Sequence, residues 1–227
     1  MKNPMECSAV EDLPPLPEML AAYRDEILRG LKPAWIIPNG CGKSHKQDTG
    51  IPDETPFPTS HLDCLFQINL ERLPEFVNVP GMPRQGMVFI TYENACGDPE
   101  IDAVYHPGPA SAIQYPPCME TGGKKAKHPC GDHRIQVLWT PSLLIEFPEY
   151  MDYLEEAYND WIRQAFPYLA GDFWQVGGNM TSCQTFDESD QSRFVAQSTH
   201  LDWLMDMGEI TLYYSDDRGF HIVVHTH

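Results

Sequence analysis

The chain has 227 residues, with 33 acidic against 15 basic side chains and a formal net charge of −18. That field repels phosphate backbones and anionic membrane surfaces, so neither nucleic acid nor a membrane is expected as a partner. A hydrophobic share of 42% with 21 prolines and 16 glycines excludes disorder and a helical bundle, and fits a globular fold rich in turns.

The N-terminal stretch MKNPMECSAVEDLPPLPEML lacks the charged and then apolar pattern of a secretory signal. No run reaches the roughly 18 to 20 apolar residues that cross a bilayer. The seven cysteines are scattered without a disulfide framework, which agrees with a reducing compartment. A cytoplasmic location is the expectation.

In chain order, the first element is an amphipathic helix, with Leu16, Met19, Leu20, Tyr23, Ile27 and Leu31 on one stripe and Pro33 closing the run. AWIIP then opens as a short apolar strand and passes into a long Gly- and Pro-rich connection to Ser60. Strand signals follow at Cys64 to Leu70, Met87 to Tyr92, Ala103 to His106 and Ile135 to Trp139, with SLLIEF as a further apolar run. A second helix fits EYMDYLEEAYNDWIRQAF, whose Tyr150, Leu154, Ala157, Tyr158, Trp161, Ile162 and Ala165 make a broad apolar face. From Phe173 to His227 strand and turn alternate.

Four features recur in the same order: a helix, a glycine-containing loop, a strand carrying a glutamine, and a glycine before an aromatic-rich strand. The first set runs through Gly50, Gln67 in LFQIN and Gly86 before MVFITY. The second runs through Gly177 and Gly178, Gln197 in VAQST and Gly208 before EITLYY. This predicts one domain over 1–227 with internal repeats at about 14–140 and 141–227.

The segments LPEMLAAYRDEILRGLKPAWII, LFQINLERLP and GMPRQGMVFITYE, followed by WQVGGNM, FVAQSTHLD and MGEITLYYSDD, resemble the YwqG-like family, a bacterial domain family of unknown function. The resemblance implies an α+β fold with a duplicated, largely antiparallel β unit and one amphipathic helix per repeat. It also implies an association of some members with toxin–immunity loci. The chain departs from the family pattern at HKQDTGIP and GGNM, and no catalytic residues carry over.

Among chemical constellations, GG in WQVGGNM matches no nucleotide-binding glycine motif and reads as a tight corner, so no cofactor is expected. Cys118, His128, Cys130 and His133 are all capable of ligating zinc, but their spacing is not that of a zinc finger. His221, His225 and His227 would share one face of a strand. Neither set is taken as a metal site. No hydrolase motif pairs a nucleophile with a base.

From Glu149 to Asp217 the chain carries fourteen acidic residues against Arg163 and Arg193. This predicts a partner-binding surface at Asp152, Glu155 and Glu156 on the helix and at Asp187, Glu188, Asp190, Asp216 and Asp217 in turns. The expectation is a non-enzymatic binding protein, in its sharpest form an immunity protein neutralising a basic toxin. The alternative is an enzyme or metal-dependent protein with a ligand site between the repeats.

Overall fold

A computed structural model describes residues 9–38, 63–95, 98–109, 135–171, 173–181, 192–199 and 207–226. The architecture is α+β with two antiparallel sheets. The larger is six-stranded, built from β1 (Lys32–Pro38), β5 (Gln136–Thr140), β6 (Phe173–Val176), β7 (Arg193–Thr199), β8 (Met207–Ser215) and β9 (Gly219–Thr226), in the order β5-β1-β6-β7-β8-β9. The smaller is a three-stranded meander of β2 (Asp63–Asn69), β3 (Met87–Ala95) and β4 (Asp98–His106). The described residues include two α-helices, α1 (Arg24–Arg29) and α2 (Asp152–Ala165).

The two sheets face each other through one apolar core. Alternation along the strands sends Trp35, Ile37, Trp174, Val176, Ile210 and Leu212 from the large sheet, and Phe66, Ile68, Val88 and Ile90 from the small one, into the same layer. Phe66 and Trp174 stack across that layer with ring centroids 4.2 Å apart. At one side the edge strands β4 and β9 come together, with the Tyr105 and Phe220 rings 5.3 Å apart.

The connection from β2 to β3 closes the core at another side. Asn69 caps its first turn by accepting from the Glu71 N–H, and Leu73, Val77, Val79 and Met82 turn inward. Val77 lies against the corner after β6, where a Cβ on Gly177 would come within 2.6 Å of it. The β2–β3 connection and the VGG corner are therefore packed neighbours at Val77 and Gly177.

A second core joins the helices to the segments around them. Leu154, Tyr158, Trp161 and Ile162 are the inward stripe of α2, at the i, i+4, i+7 and i+8 spacing of one helical face, and they meet Leu20, Ile27, Leu31 and Phe166. Trp161 Nε1 donates to the Pro14 carbonyl at 2.9 Å, and the Tyr158 hydroxyl donates to the Ser142 carbonyl at 2.7 Å. Burial raises the Tyr158 pKa well above its ordinary value.

Several expectations need correction. The first helix is a 3-10 stretch from Glu18 to Tyr23 that becomes α-helical only over Arg24–Arg29, and Pro33 lies inside β1 rather than at a helix end. Pro33 sits opposite Trp139 in the pairing with β5. Met19 points outward while Leu20 is fully buried, as the tighter 3-10 winding shifts the stripe. SLLIEF forms no strand: it runs as irregular chain against α2, with Ile145 and Phe147 turned into the helix core. Tyr150, expected on the apolar face of the second helix, lies before its first turn and is 80% exposed.

Phe194, which the sequence predicts as core together with Phe66, Ile68, Phe89, Trp161 and Leu212, is only half-buried, and the fully buried residue is Val195. A bulge in the β7–β8 ladder lies between Phe194 and Ala196, so Val195 is the extra residue and strict alternation fails there. The β2–β3 ladder also carries a bulge, between Cys64 and Phe66. In both ladders the next residues are a glutamine and its partner, Gln67 opposite Phe89 and Gln197 opposite Thr211.

Candidate functional site

Two regions stand out: the exposed face of α2 and the outer face of the large sheet. Residues directly opposite each other in a ladder share a face. The registers therefore set Gln175, Gln197 and Thr211 in one row across β6, β7 and β8. The Glu209–His225 and Tyr213–His221 pairs of β8 and β9 lie on the same face. Gln175, Gln197, Thr211, Tyr213, Glu209 and His225 are all buried.

Such a row is costly unless its polar atoms find partners. Gln175 Nε2 donates to the carbonyls of Gly177 at 2.8 Å and Asn179 at 2.6 Å. Gln197 exchanges hydrogen bonds with Thr181, its Oε1 accepting from the Thr181 N–H at 3.2 Å and its Nε2 donating to the Thr181 hydroxyl. Asn179 in turn donates to the Gly30 and Thr140 carbonyls, and its own N–H is received by the Thr140 hydroxyl at 2.7 Å. These contacts tie the 177–181 corner to β5 and to the end of α1. Sequence reasoning missed this network because glutamines and threonines in strands read as a solvent face.

Farther along the row the chemistry changes. Burial pushes the Tyr213 phenol up to about 12, and its hydroxyl donates to Met180 Sδ at 3.1 Å. Thr211 offsets part of that rise, and its buried hydroxyl meets no partner in hydrogen-bonding geometry among the described residues. His221 uses both ring nitrogens, one toward the Gly219 carbonyl and one toward the Ser192 hydroxyl, each at 3.1 Å. It shares a strand face with His225, as the sequence predicts. Four residues of strand rise separate the two by about 13 Å, too far to share one ion. Among the described residues no group of three His, Cys, Asp or Glu is placed to hold a metal. Cys118, His128, Cys130, His133 and His227 lie outside the described residues.

The predicted partner-binding carboxylates fall into three sets. Asp152, Glu155 and Glu156 project from the exposed face of α2, where the acidic first turn suits the helix dipole. None of the described cations pairs with them: Arg163, the one base on α2, is held by Asp160. Asp216 is engaged differently. Arg193 grips it through both terminal nitrogens, at 3.1 and 3.0 Å, and donates to the Pro80 carbonyl at 2.6 Å. The hydrogen bond from Arg193 lowers the Asp216 pKa. Asp217 is exposed, with its pKa lowered first by a hydrogen bond from Ser215, and stands 3.8 Å from Arg218. Asp187, Glu188 and Asp190 lie outside the described residues.

No protein-family model matches the chain, and no curated protein matches it. No described helix is long and apolar enough to cross a membrane.

Proposed function

We propose that the protein is a cytoplasmic, non-enzymatic binding protein that docks a basic protein partner through the acidic face of α2. In its sharpest form it is an immunity protein of the YwqG-like type that covers the cationic face of a toxin. The observation carrying this reading is the set Asp152, Glu155 and Glu156, exposed together on a helix anchored by Trp161 and Tyr158 and unneutralised by any described cation. A rigid carboxylate face raises the encounter rate with a cationic groove and blocks it once docked.

The same proposal takes the two halves as copies of one unit. Supporting it are a helix followed by β1 to β4 and a helix followed by β6 to β9, with β5 left over, and a ladder bulge shortly before Gln67 and before Gln197. Superposition of β2–β4 on β7–β9 tests that part, and glutamines on non-equivalent positions would end it.

Co-expression with the product of the neighbouring gene tests the functional claim. Co-purification and protection of the cells are the expected results; recovery of the protein alone, with no protection, would overturn it. A ligand-binding or enzymatic role is the second reading, favoured by the buried row around Thr211, Glu209 and His225. Its metal-dependent version predicts stoichiometric metal in protein purified without an affinity tag, and a metal-free preparation rejects that version.

A further inference from the structure

We infer that the docking surface is centred on an apolar patch at the entry to α2, formed by Leu144, Tyr150 and Tyr153, and that it takes a cationic amphipathic segment of a protein partner. Apolar side chains of the partner cover the patch while its Lys or Arg side chains meet Asp152, Glu155 and Glu156. This deepens the binding reading above and rests on it.

The large hydrophobic side chains that are exposed among the described residues are not scattered. Apart from Met19 they all fall between Leu143 and Tyr153, with Leu144 at 72%, Tyr150 at 80% and Tyr153 at 54% exposure. Their outward position is fixed by packing. The Tyr158–Ser142 hydrogen bond holds this stretch against α2, and Ile145 and Phe147 turn inward, which leaves Leu144 facing out. A turn closed by the Met151 N–H on the Pro148 carbonyl at 2.8 Å then leaves Tyr150 outside the helix core.

Charge complementarity identifies the occupant. From Gln136 to Ile162 the chain has no Lys, Arg or His, while Glu146, Glu149, Asp152, Glu155, Glu156 and Asp160 are all acidic. An anionic or like-charged partner is repelled there, and a purely polar one leaves the Leu and Tyr surfaces unused. Tyrosine suits a cationic amphipathic occupant in two ways, because it buries a large area at low entropic cost and its ring face attracts Lys and Arg.

Fluorescence anisotropy with a labelled amphipathic Leu/Lys peptide tests this. The wild-type chain is expected to bind it, and the triple variant Leu144→Ser, Tyr150→Ser, Tyr153→Ser to bind about tenfold or more weakly, as for loss of an interface centre. Asp152→Asn, Glu155→Gln, Glu156→Gln should weaken binding at low salt and flatten its salt dependence. A control with the same charge change on the other sheet and its loop, Glu71→Gln, Glu75→Gln, Glu100→Gln, should stay near wild type. Circular dichroism confirms folding, which these exposed positions do not govern. Wild-type affinity in the Leu/Tyr variant, with loss in the carboxylate variant, sinks the patch but keeps the acidic docking face. Equal loss in the control sinks both, since a diffuse field would then explain the binding. Failure of the wild type to bind sinks the patch alone, because the neighbouring gene product still tests the partner.

Discussion

Gly178 occupies a position that no other residue fills without strain. Its φ is +77°, and a Cβ there would come within 2.5 Å of Thr140 Oγ1 and 2.7 Å of the Ala34 Cβ. Gly178→Ala is therefore expected to cost about 1–3 kcal/mol in backbone strain alone, read as a lower denaturation midpoint; an unchanged midpoint would contradict this packing. Gly81, with φ +76°, faces the Arg193–Asp216 pair in a similar way. Because the Asp216 pKa is depressed in the folded state, the pair's contribution is present above the ordinary carboxylate range and fades as pH falls through the lowered value. Protection of the Met82 amide, whose N–H bonds the Val79 carbonyl, taken against the unstructured-peptide exchange rate at each pH, should fall on acidification in the wild type. In Asp216→Asn that protection should already be low at neutral pH, and identical protection in the two proteins would show that the pair does not hold this loop. Side chains such as Phe66, Ile68, Phe89, Trp161 and Leu212 are legible as core from the sequence and are buried. Phe194 was not, because a bulge shifts the inward position to Val195 and leaves no mark in the pattern. Truncating Phe66 to Ala should cost about 3–5 kcal/mol, and Phe194→Ala clearly less; thermal melts of the pair decide, and equal costs would place Phe194 in the core.

At the scale of elements, α2 and most strands follow from periodicity, since helical spacing and alternation mark surfaces that must be buried. The departures have physical causes. SLLIEF has strand-like composition, but it is held by side chains of α2 rather than by a neighbouring ladder. The first helix lacks a side-chain cap hydrogen bond at either of its segments and winds as 3-10 over Glu18–Tyr23. The polar row on β6–β8 was illegible because its partners, the backbone of 177–181, are supplied by a corner whose position depends on tertiary packing. Replacing Gln197 with Ala removes the acceptor of the Thr181 N–H and a donor to its hydroxyl, leaving that hydroxyl its 3.4 Å bond to Gln175 Oε1, and should cost about 1–3 kcal/mol. Denaturant titration reads this, and a neutral result would mean that the corner is held by Gln175, Asn179 and Thr140 without Gln197.

The whole molecule depends on long-range pairings that a linear reading does not reach. β1 sits between β5 and β6, pairing Ile36 with Gln136 on one side and Trp35 with Val176 on the other, while β2 to β4 form a sheet of their own. The acidic second half was visible in composition. What the fold adds is its division into Asp216, already gripped by Arg193, and Asp152, Glu155 and Glu156, left to solvent on a helix whose Tyr153 is exposed as well. The association rate with the neighbouring gene product, measured against ionic strength for the wild type and for Asp152→Asn, Glu155→Gln, Glu156→Gln, tests the central claim most directly. The account predicts that the wild-type rate falls steeply as salt rises, and that the variant associates more slowly with a flatter dependence. Superimposable salt curves for the two proteins would contradict it.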